Sequence, residues 1–321
     1  MEICKISESD IQDLIKFGKE VYPDRANYKN IVEFNFYNRI GDYSGGIILK
    51  ENKRIVGQSL VSPVTQWQKG KNFLTGWGYD LIVHPELRKE ARGVDLLLAI
   101  KREFPGICGT GAGPDAVALN KILKVKDIGY LHKFIGISSI ITFPFKQILP
   151  INSFPDKIKD FKLIENPENV KYKDFFNFDL LEPGRSFEFL KWRFFSKDFI
   201  KYWFYQNDKG DYFILRPIKL KGIQVLEVAD YRCQLQESSA FNEILSVIKK
   251  IANKVNLPII LIGSSHKTVD SILEKNHFKS IGRPRPIQVF PKFKGELDID
   301  KINCREFTLI TFGDSDGEWS W

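Results

Sequence analysis

The stretch 83–100, VHPELRKEARGVDLLLAI, decides the fold prediction because it joins a buried strand to a helix through a short charged turn. A proline follows the strand, and a leucine-rich helix begins at Arg92 and Gly93. The first N–H groups of a helix lack intrahelical acceptors and carry partial positive charge, so a helix start readily holds an anion. With Arg88 and Lys89 in the same turn, the sequence predicts a phosphate-binding site.

The bulk composition narrows the class of protein. At 321 residues the chain is longer than one average domain, and 43% hydrophobic residues are enough for a sizeable core. A formal net charge of +8 favours polyanionic partners such as nucleotides, acidic carrier proteins, nucleic acid or anionic membrane. No run of lysine and arginine is long enough to select nucleic acid, which is therefore the less favoured partner.

The cysteines and histidines predict no metal site and no disulfide framework. Cys4, Cys108, Cys233 and Cys304 are isolated in the sequence, and the four histidines show no metal-ligand spacing. The first residues lack a basic region followed by an apolar core, and no apolar run reaches the roughly 18 residues that a membrane span needs. We therefore expect a soluble, cytoplasmic protein with reduced thiols.

The order of elements predicts a mixed α/β fold. Residues 1–6 alternate like a strand, and residues 7–22 begin with serines that can cap a helix. The three β-rich runs 43–52, 53–67 and 71–85 are separated by polar turns and predict an antiparallel meander. A helix, a short strand ending in glycines, another helix and a strand then follow.

The same order of elements returns after an irregular, proline-containing stretch. We predict a first domain over 1–150, a linker over 151–182 and a second domain over 183–321. No residue-level repeat accompanies this duplication of the element order. The oligomeric state is left open by the sequence.

The strand end Val83-His84-Pro85, the basic turn, Arg92-Gly93 and the amphipathic helix together resemble the acyl-CoA binding motif of the GNAT acyltransferase superfamily. Residues 119–130, LNKILKVKDIGY, look like that family's later helix ending in a Gly-aromatic pair. Residues 189–205 and 308–321 are similar to bacterial tandem-GNAT proteins, several of which act on sugars of surface polysaccharides. The resemblance implies two tandem GNAT-like domains, the second degenerate, each with a mostly antiparallel mixed sheet flanked by helices.

The resemblance also implies roles for particular residues. Backbone groups of Leu81 and Val83 would pair with the pantetheine arm of an acyl-CoA, and Tyr79 or Asp80 would take the proton of the attacking amine. The residues implied in holding the donor are Leu81, Val83, Arg88, Lys89, Ala91, Arg92, Gly93, Val94 and Asn120, with Asn120 as a hydrogen-bond donor. No metal is needed, because the thioester is already reactive.

Two departures from the family pattern keep three functions open. Asp95 stands where the family usually has a small residue, and Val125 stands where many members have a catalytic tyrosine. The leading hypothesis is an N-acyltransferase that transfers an acetyl group to an amino group of a small molecule such as an amino sugar or a nucleotide-linked sugar. The alternatives are an aminoacyl-tRNA-dependent transferase of the peptidoglycan type and a non-catalytic binding module.

Two further patterns are given structural interpretations. The aromatic stretch 187–205 predicts core, with Arg193 and Lys201 facing solvent. The ending GDSDGEW, residues 313–319, predicts an acidic solvated tail.

Overall fold

The structure is a computed structural model, and it describes residues 1–25, 27–37, 45–104, 106–110, 113–139, 149–196, 198–289 and 308–314. In these residues the strands are β1 (Glu2–Lys5), β2 (Gly46–Glu51), β3 (Arg54–Gln68), β4 (Lys71–Val83), β5 (Ile107–Thr110), β6 (Lys126–Ile137), β7 (Lys157–Ile158), β8 (Phe161–Ile164), β9 (Glu182–Pro183), β10 (Trp203–Gln206), β11 (Tyr212–Leu220), β12 (Ile223–Arg232), β13 (Ile259–Ser264), β14 (Lys279–Ser280) and β15 (Arg285–Val289).

The helices alternate with these strands along the chain. They are α1 (Ile11–Val21), α2 (Tyr28–Tyr37), α3 (Arg92–Glu103), α4 (Pro114–Ile122), α5 (Phe187–Leu190, continued by a π-helical turn Lys191–Phe195), α6 (Ser238–Lys254) and α7 (Lys267–Lys275). A 3-10 turn, Pro85–Glu90, lies between β4 and α3.

The strands form one mixed sheet in the order β1-β2-β3-β4-β5-β15-β6-β13-β12-β11-β10-β8-β7, with β9 beside β3 and β14 beside β6. β2, β3 and β4 pair antiparallel, which confirms the predicted meander. β4 runs parallel to β5, and β12 runs parallel to β13. The mixed α/β fold, a large and mostly antiparallel sheet flanked by helices, is confirmed.

Strands from the two ends of the chain are interleaved in this sheet. β15, from the last fifth of the sequence, pairs antiparallel with both β5 and β6. β6 in turn pairs with β13, so the sheet continues across the two sequence halves. A division into domains at 1–150 and 183–321 stays a prediction, and either unit would share this sheet with the other.

Three local predictions are wrong. The stretch 151–182 is not irregular throughout, because it contains β7, β8 and part of β9, and β8 pairs with β10; its role as a linker stays a prediction. The helix predicted to end at Gly129-Tyr130 stops at Ile122, and the Gly-aromatic pair lies inside β6. The predicted closing strand near residue 308 is reduced to one isolated bridge between Leu181 and Thr308, with residues 304–307 outside the described ones.

Helices cover both faces of the first strands. Leu60 packs with α1 and α2, whereas its neighbour Val61 packs with α3. Adjacent strand residues point to opposite faces, so the sheet lies between two helical layers here. A third cluster joins residues of both sequence halves, among them Trp77, Trp192 and Phe312, and forms the common core.

Candidate functional site

The end of β4 contains a β-bulge at the predicted catalytic residues. Leu60 pairs with Tyr79 and Gln58 pairs with Ile82, so Asp80 and its successor stand opposite a single residue of β3. Asp80 has a φ of 48°, a left-handed conformation that non-glycine residues adopt only when their surroundings hold it. The backbone groups at this bulge are thereby turned out of the regular β-ladder.

Neither predicted base is exposed to solvent. Tyr79 is buried among residues of α1 and α2. The Asp80 carboxylate accepts two hydrogen bonds from Nη1 of Arg25, at 2.6 and 2.7 Å. Burial raises the pKa of Asp80, and the Arg25 guanidinium acts against that rise. The structure therefore places the Asp80 carboxylate in an ion pair, a partner that the sequence did not indicate.

The predicted pantetheine residues lie directly after the bulge. Leu81 is half-buried and Val83 is buried, and both pack against the residues of α3 that face the sheet. Arg88 folds back on the strand end, because its Nε donates to the carbonyl oxygen of Val83 at 3.2 Å. The strand end and the predicted pyrophosphate turn are thus joined by a direct hydrogen bond.

The turn before α3 is built around Ala91. Its φ of 57° is left-handed and redirects the chain from the 3-10 turn into α3. The N–H of Val94 donates to the carbonyl oxygen of Ala91 at 2.9 Å, whereas the N–H groups of Arg92 and Gly93 belong to the first turn, where a helix has no intrahelical acceptor to offer. Within α3, the N–H groups that remain for an anion are therefore those of Arg92 and Gly93.

Arg92 is already compensated by two carboxylates. It lies 3.2 Å from a carboxylate oxygen of Glu90 and 3.4 Å from one of Asp95. Across residues 86–95 the three basic side chains are balanced by three acidic ones, so the turn carries no net charge. An anion here would be held by N–H groups and the helix dipole, with exposed Arg88 and Lys89 at its edge.

Gly93 leaves space on the outside of the helix start. A Cβ atom at this position would meet only Cδ2 of Leu119, at 3.4 Å, within the described part of the chain. Its φ is not left-handed, so the fold does not require glycine for conformational reasons. A glycine with this freedom fits the close approach of a ligand to the N–H groups.

β4 and β5 stop pairing just before the bulge. Gly76 pairs with Ile107 and Trp77 with Cys108, after which β4 continues to the bulge while β5 turns to pair with β15. We call the place beyond Trp77 and Cys108, where the pairing of β4 with β5 ends, the first opening. Burial raises the pKa of the Cys108 thiol to about 12, so this thiol stays protonated and is a poor nucleophile.

Asn120 reaches the sheet from α4. Its Nδ2 donates to Oε1 of Gln288 in β15 at 2.6 Å, and Nε2 of Gln288 donates to Asp127 at 2.8 Å. Oδ1 of Asn120 is buried without a hydrogen-bond partner among the described residues. Asn120 thus has one N–H engaged and its acceptor open, and the donation of its other N–H to a ligand stays a prediction.

A second opening lies between the parallel strands β12 and β13, and another segment of the chain fills it. β12 pairs with β13 as far as Val228 and Ile262, and β12 has a bulge at Ala229. The segment 308–314 lies against this place. The carbonyl oxygen of Thr308 accepts from Ser265, and a Cβ at Gly263 would lie 2.7 Å from the Phe312 ring.

Four buried charges fix that segment, and sequence reasoning missed all of them. Arg185 and Arg232 each contact both Asp230 and Asp314, and all four side chains are at most 1% exposed. Burial works against ionisation, but the two arginines hold the pKa of Asp230 down at about 2. The solvated-tail prediction is thus wrong for Asp314; residues 315–321 lie outside the described residues.

The prediction for Arg193 is also wrong, because this charged side chain is buried as well. It was predicted to face solvent, yet it is 3% exposed, and its Nε donates to the carbonyl oxygen of Gly313 at 2.9 Å. Lys201 is exposed as predicted. The only sequence signal for these buried charges was their position inside aromatic or apolar runs.

Two further properties concern the residues that the structure describes. They contain no group of three or more His, Cys, Asp or Glu side chains arranged to hold a metal ion. None of their helices is long and apolar enough to cross a membrane.

Comparisons with known proteins show the fold. No protein-family model matches the sequence, and no curated protein matches it either. A GCN5-related N-acetyltransferase from Anabaena variabilis superposes with a TM-score of 0.61 at 13% identity, over 90% of this chain and 72% of that one. Another from Kribbella flavida gives 0.57 at 10% identity, over 90% and 70% of the two chains. N-myristoyltransferase of Saccharomyces cerevisiae with bound myristoyl-CoA gives 0.55 at 14% identity, over 90% and 82%. The chain therefore has the fold of the GCN5-related N-acetyltransferases.

Proposed function

We propose that the protein is an acyl-CoA-dependent N-acyltransferase. The observation that carries the proposal is the arrangement at the first opening: β4 leaves β5 beside a bulge and runs directly into a turn and the N-terminus of α3. The bulge, the end of the β4–β5 pairing and the start of α3 thus follow one another within residues 77–93. A thioester, a pantetheine arm and a pyrophosphate require these features in that order.

The donor would be held mainly by the backbone. Leu81 and Val83 would pair with the pantetheine amides, and N–H groups from Arg88 through Gly93 would face the pyrophosphate. The structural relative with bound myristoyl-CoA supports the acyl-CoA class. The free Oδ1 of Asn120 suits an N–H of the pantetheine arm, which would remove a buried unpaired acceptor.

The chemistry would be direct transfer. The nitrogen of the neutral amine attacks the thioester carbonyl, the N–C bond forms, the C–S bond breaks, and the thiolate that leaves takes up a proton. Backbone N–H groups at the bulge would stabilise the oxyanion. A covalent intermediate on Cys108 is disfavoured, because its raised pKa keeps it as the thiol.

The acceptor and the proton path are the finer part of the proposal. We propose an amino group on a small molecule, such as an amino sugar or a nucleotide-linked sugar, and transfer in the cytoplasm, where acyl-CoA is available. Of the two expected bases, Tyr79 and Asp80, we assign the ammonium proton to Tyr79, because Asp80 is ion-paired with Arg25. An acetyl group is the proposed acyl group.

We also propose two domains of related topology, over residues 1–150 and 183–321. The support is the repeated arrangement of an antiparallel pair, a bulge, a crossover helix and a parallel strand, in β3-β4-α3-β5 and in β11-β12-α6-β13. Only the first of these has the basic turn.

The experiment is an assay of thiol release from acetyl-CoA in the presence of amino sugars and other primary amines. The expected result is amine-dependent release of CoA, with Arg92→Ala weakening donor binding by about tenfold through loss of a charge-assisted contact. Arg102→Ala, at the exposed opposite end of α3, is the matched control and should change nothing. No release with any amine, together with no binding of CoA, would contradict the proposal.

A further inference from the structure

The bulge in β4 is held from outside the strand. Arg25 lies in the connection between α1 and α2, 55 positions from Asp80 in sequence, and places Nη1 between the two carboxylate oxygens. The side chains are only 12% and 6% exposed, so water competes little for this ion pair. Left-handed backbone at a non-glycine residue is strained and persists only where the surroundings impose it.

Arg25 is itself fixed by aromatic rings. Its guanidinium carbon lies 5.4 Å from the ring centroids of both Tyr22 and Tyr28. Such cation–π contacts restrain a long side chain that would otherwise lose much rotamer entropy on ordering. We call Arg25 with the Tyr22 and Tyr28 rings the clamp. It holds the guanidinium in one orientation beside the bulge.

Tyr28 also links the clamp to β3, the strand opposite the bulge. Tyr28 accepts a hydrogen bond from Nε2 of Gln58 at 2.8 Å, and Gln58 pairs across the bulge with Ile82. The Tyr28 ring is packed tightly on α1, because a Cβ at Gly18 would overlap it at 1.7 Å. The α1–α2 connection, β3 and the bulge therefore form one connected unit.

We propose that Arg25 and Asp80 are positioning residues whose ion pair holds the β4 bulge in its left-handed conformation and so directs the backbone N–H groups of Asp80 and Leu81 toward the thioester. The inference rests on the proposed N-acyltransferase function and assigns Asp80 a role other than that of a general base. A carboxylate that took up the amine proton would leave a buried guanidinium without its counter-ion, which is strongly unfavourable.

The test separates the charge of Asp80 from its backbone. Glycine adopts a positive φ at little cost. Arg25→Ala alone should lower kcat by about 10- to 100-fold, with the affinity for acetyl-CoA changed by less than about threefold. The double variant Arg25→Ala with Asp80→Gly removes both buried charges and keeps the bulge accessible, so its kcat should return to within about threefold of the wild type.

The pH profile distinguishes positioning from base catalysis. Loss of a general base produces a defect that shrinks as pH rises, because the free amine becomes common without help. Loss of positioning lowers kcat by the same factor from about pH 6 to about pH 9. A double variant as inactive as Arg25→Ala, or a defect confined to low pH, would overturn the inference.

Hydrogen exchange gives a readout that does not depend on activity. Amides of residues 78–83 should exchange at least about tenfold faster in Arg25→Ala, since the bulge loses its restraint, and should regain protection in the double variant. The control is Arg54→Ala, which breaks the exposed ion pair between Arg54 of β3 and Glu20 of α1. It should leave the exchange rates of residues 78–83 unchanged. Unchanged exchange in Arg25→Ala contradicts the clamp itself. Changed exchange without any acyl transfer by the wild type contradicts only the proposed function.

Discussion

The two openings between parallel strands begin alike and end differently. In the first, Gly109 follows the last residue of β5 that pairs with β4. In the second, Gly263 follows the last residue of β13 that pairs with β12. Among the described atoms, a Cβ at Gly109 would meet only the carbonyl oxygen of Gly78, at 3.2 Å, whereas a Cβ at Gly263 would lie 2.7 Å from the Phe312 ring. The chain itself occupies the second opening.

The helix starts that follow the two openings differ in charge. The turn before α3 contains Arg88, Lys89 and Arg92, whereas no lysine or arginine occurs between residues 233 and 248 at the start of α6. Glu237, the residue before α6, adds a negative charge there. Similar backbone geometry is thus filled by internal packing in the second opening, whereas in the first it would hold a ligand under the proposed function.

The largest expected effect is on the segment that fills the second opening. Asp314→Ala leaves Asp230 as the carboxylate that contacts both Arg185 and Arg232, with Glu182 3.5 Å from Arg232. We expect a loss of about 3–5 kcal/mol in the free energy of unfolding. Urea denaturation measures it. Asp208→Ala removes a carboxylate that is 78% exposed and should cost less than about 0.5 kcal/mol. Equal small effects would show that segment 308–314 does not stabilise the fold.

Acid should weaken the same cluster. The pKa of Asp230 is lowered to about 2 from the ordinary value of 3.8, so its stabilising contribution is present above about pH 4 and is lost as pH falls through about 2. The shift corresponds to roughly 2 kcal/mol. Burial raises the pKa of Glu182, so the contribution of Glu182 to stability changes with pH in the opposite direction to that of Asp230. Urea unfolding is therefore best followed in the Glu182→Gln variant, which lacks this carboxyl group. Stability that does not fall between pH 4 and pH 2 would contradict this assignment.

A matched pair of glycine substitutions sharpens the comparison. Gly263→Ala should destabilise the fold by about 1–3 kcal/mol, because the new methyl group displaces the Phe312 ring. Gly109→Ala should cost less, since its only near neighbour among the described atoms is one carbonyl oxygen at 3.2 Å. Thermal or urea unfolding of both variants is the measurement. A larger cost at Gly109 would mean that the first opening is the more tightly packed.

The smallest expected effect concerns the charges around Arg92. Asp95→Asn frees Arg92 from one of its two carboxylate partners and removes a negative charge from the helix start. Because exposed pairs contribute about 0.2–1 kcal/mol, binding of acetyl-CoA should tighten by about 1.5- to 5-fold. Calorimetric titration measures it. Weaker binding by Asp95→Asn would indicate that Arg92 does not reach the donor.

Local patterns predicted the elements well where neighbours in sequence decide the structure. Alternation and polar turns were enough for β2, β3 and β4, and the proline, basic turn and glycine were enough for the start of α3. These features depend on contacts over a few residues, which sequence reasoning handles directly.

Partners distant in sequence could not be predicted. The ion pair of Asp80 with Arg25 spans 55 positions, and Asp314 was placed in solvent because Arg185 lies 129 positions away. The hydrogen bond from Asn120 to Gln288 spans 168 positions. In each case the side chain was identified as polar, but its partner depends on how the sheet brings distant strands together.

Calorimetric titration of acetyl-CoA into the full chain tests the contrast between the two openings most directly. We expect one site per chain, with affinity lowered at least about tenfold by Gly93→Val, whose side chain would block the N–H groups at the start of α3. Gly263→Ala, which perturbs the second opening, should leave the affinity within about twofold of the wild type. Two equal sites per chain, no binding at millimolar ligand, or normal binding by Gly93→Val would contradict the assignment of the donor site to the first opening.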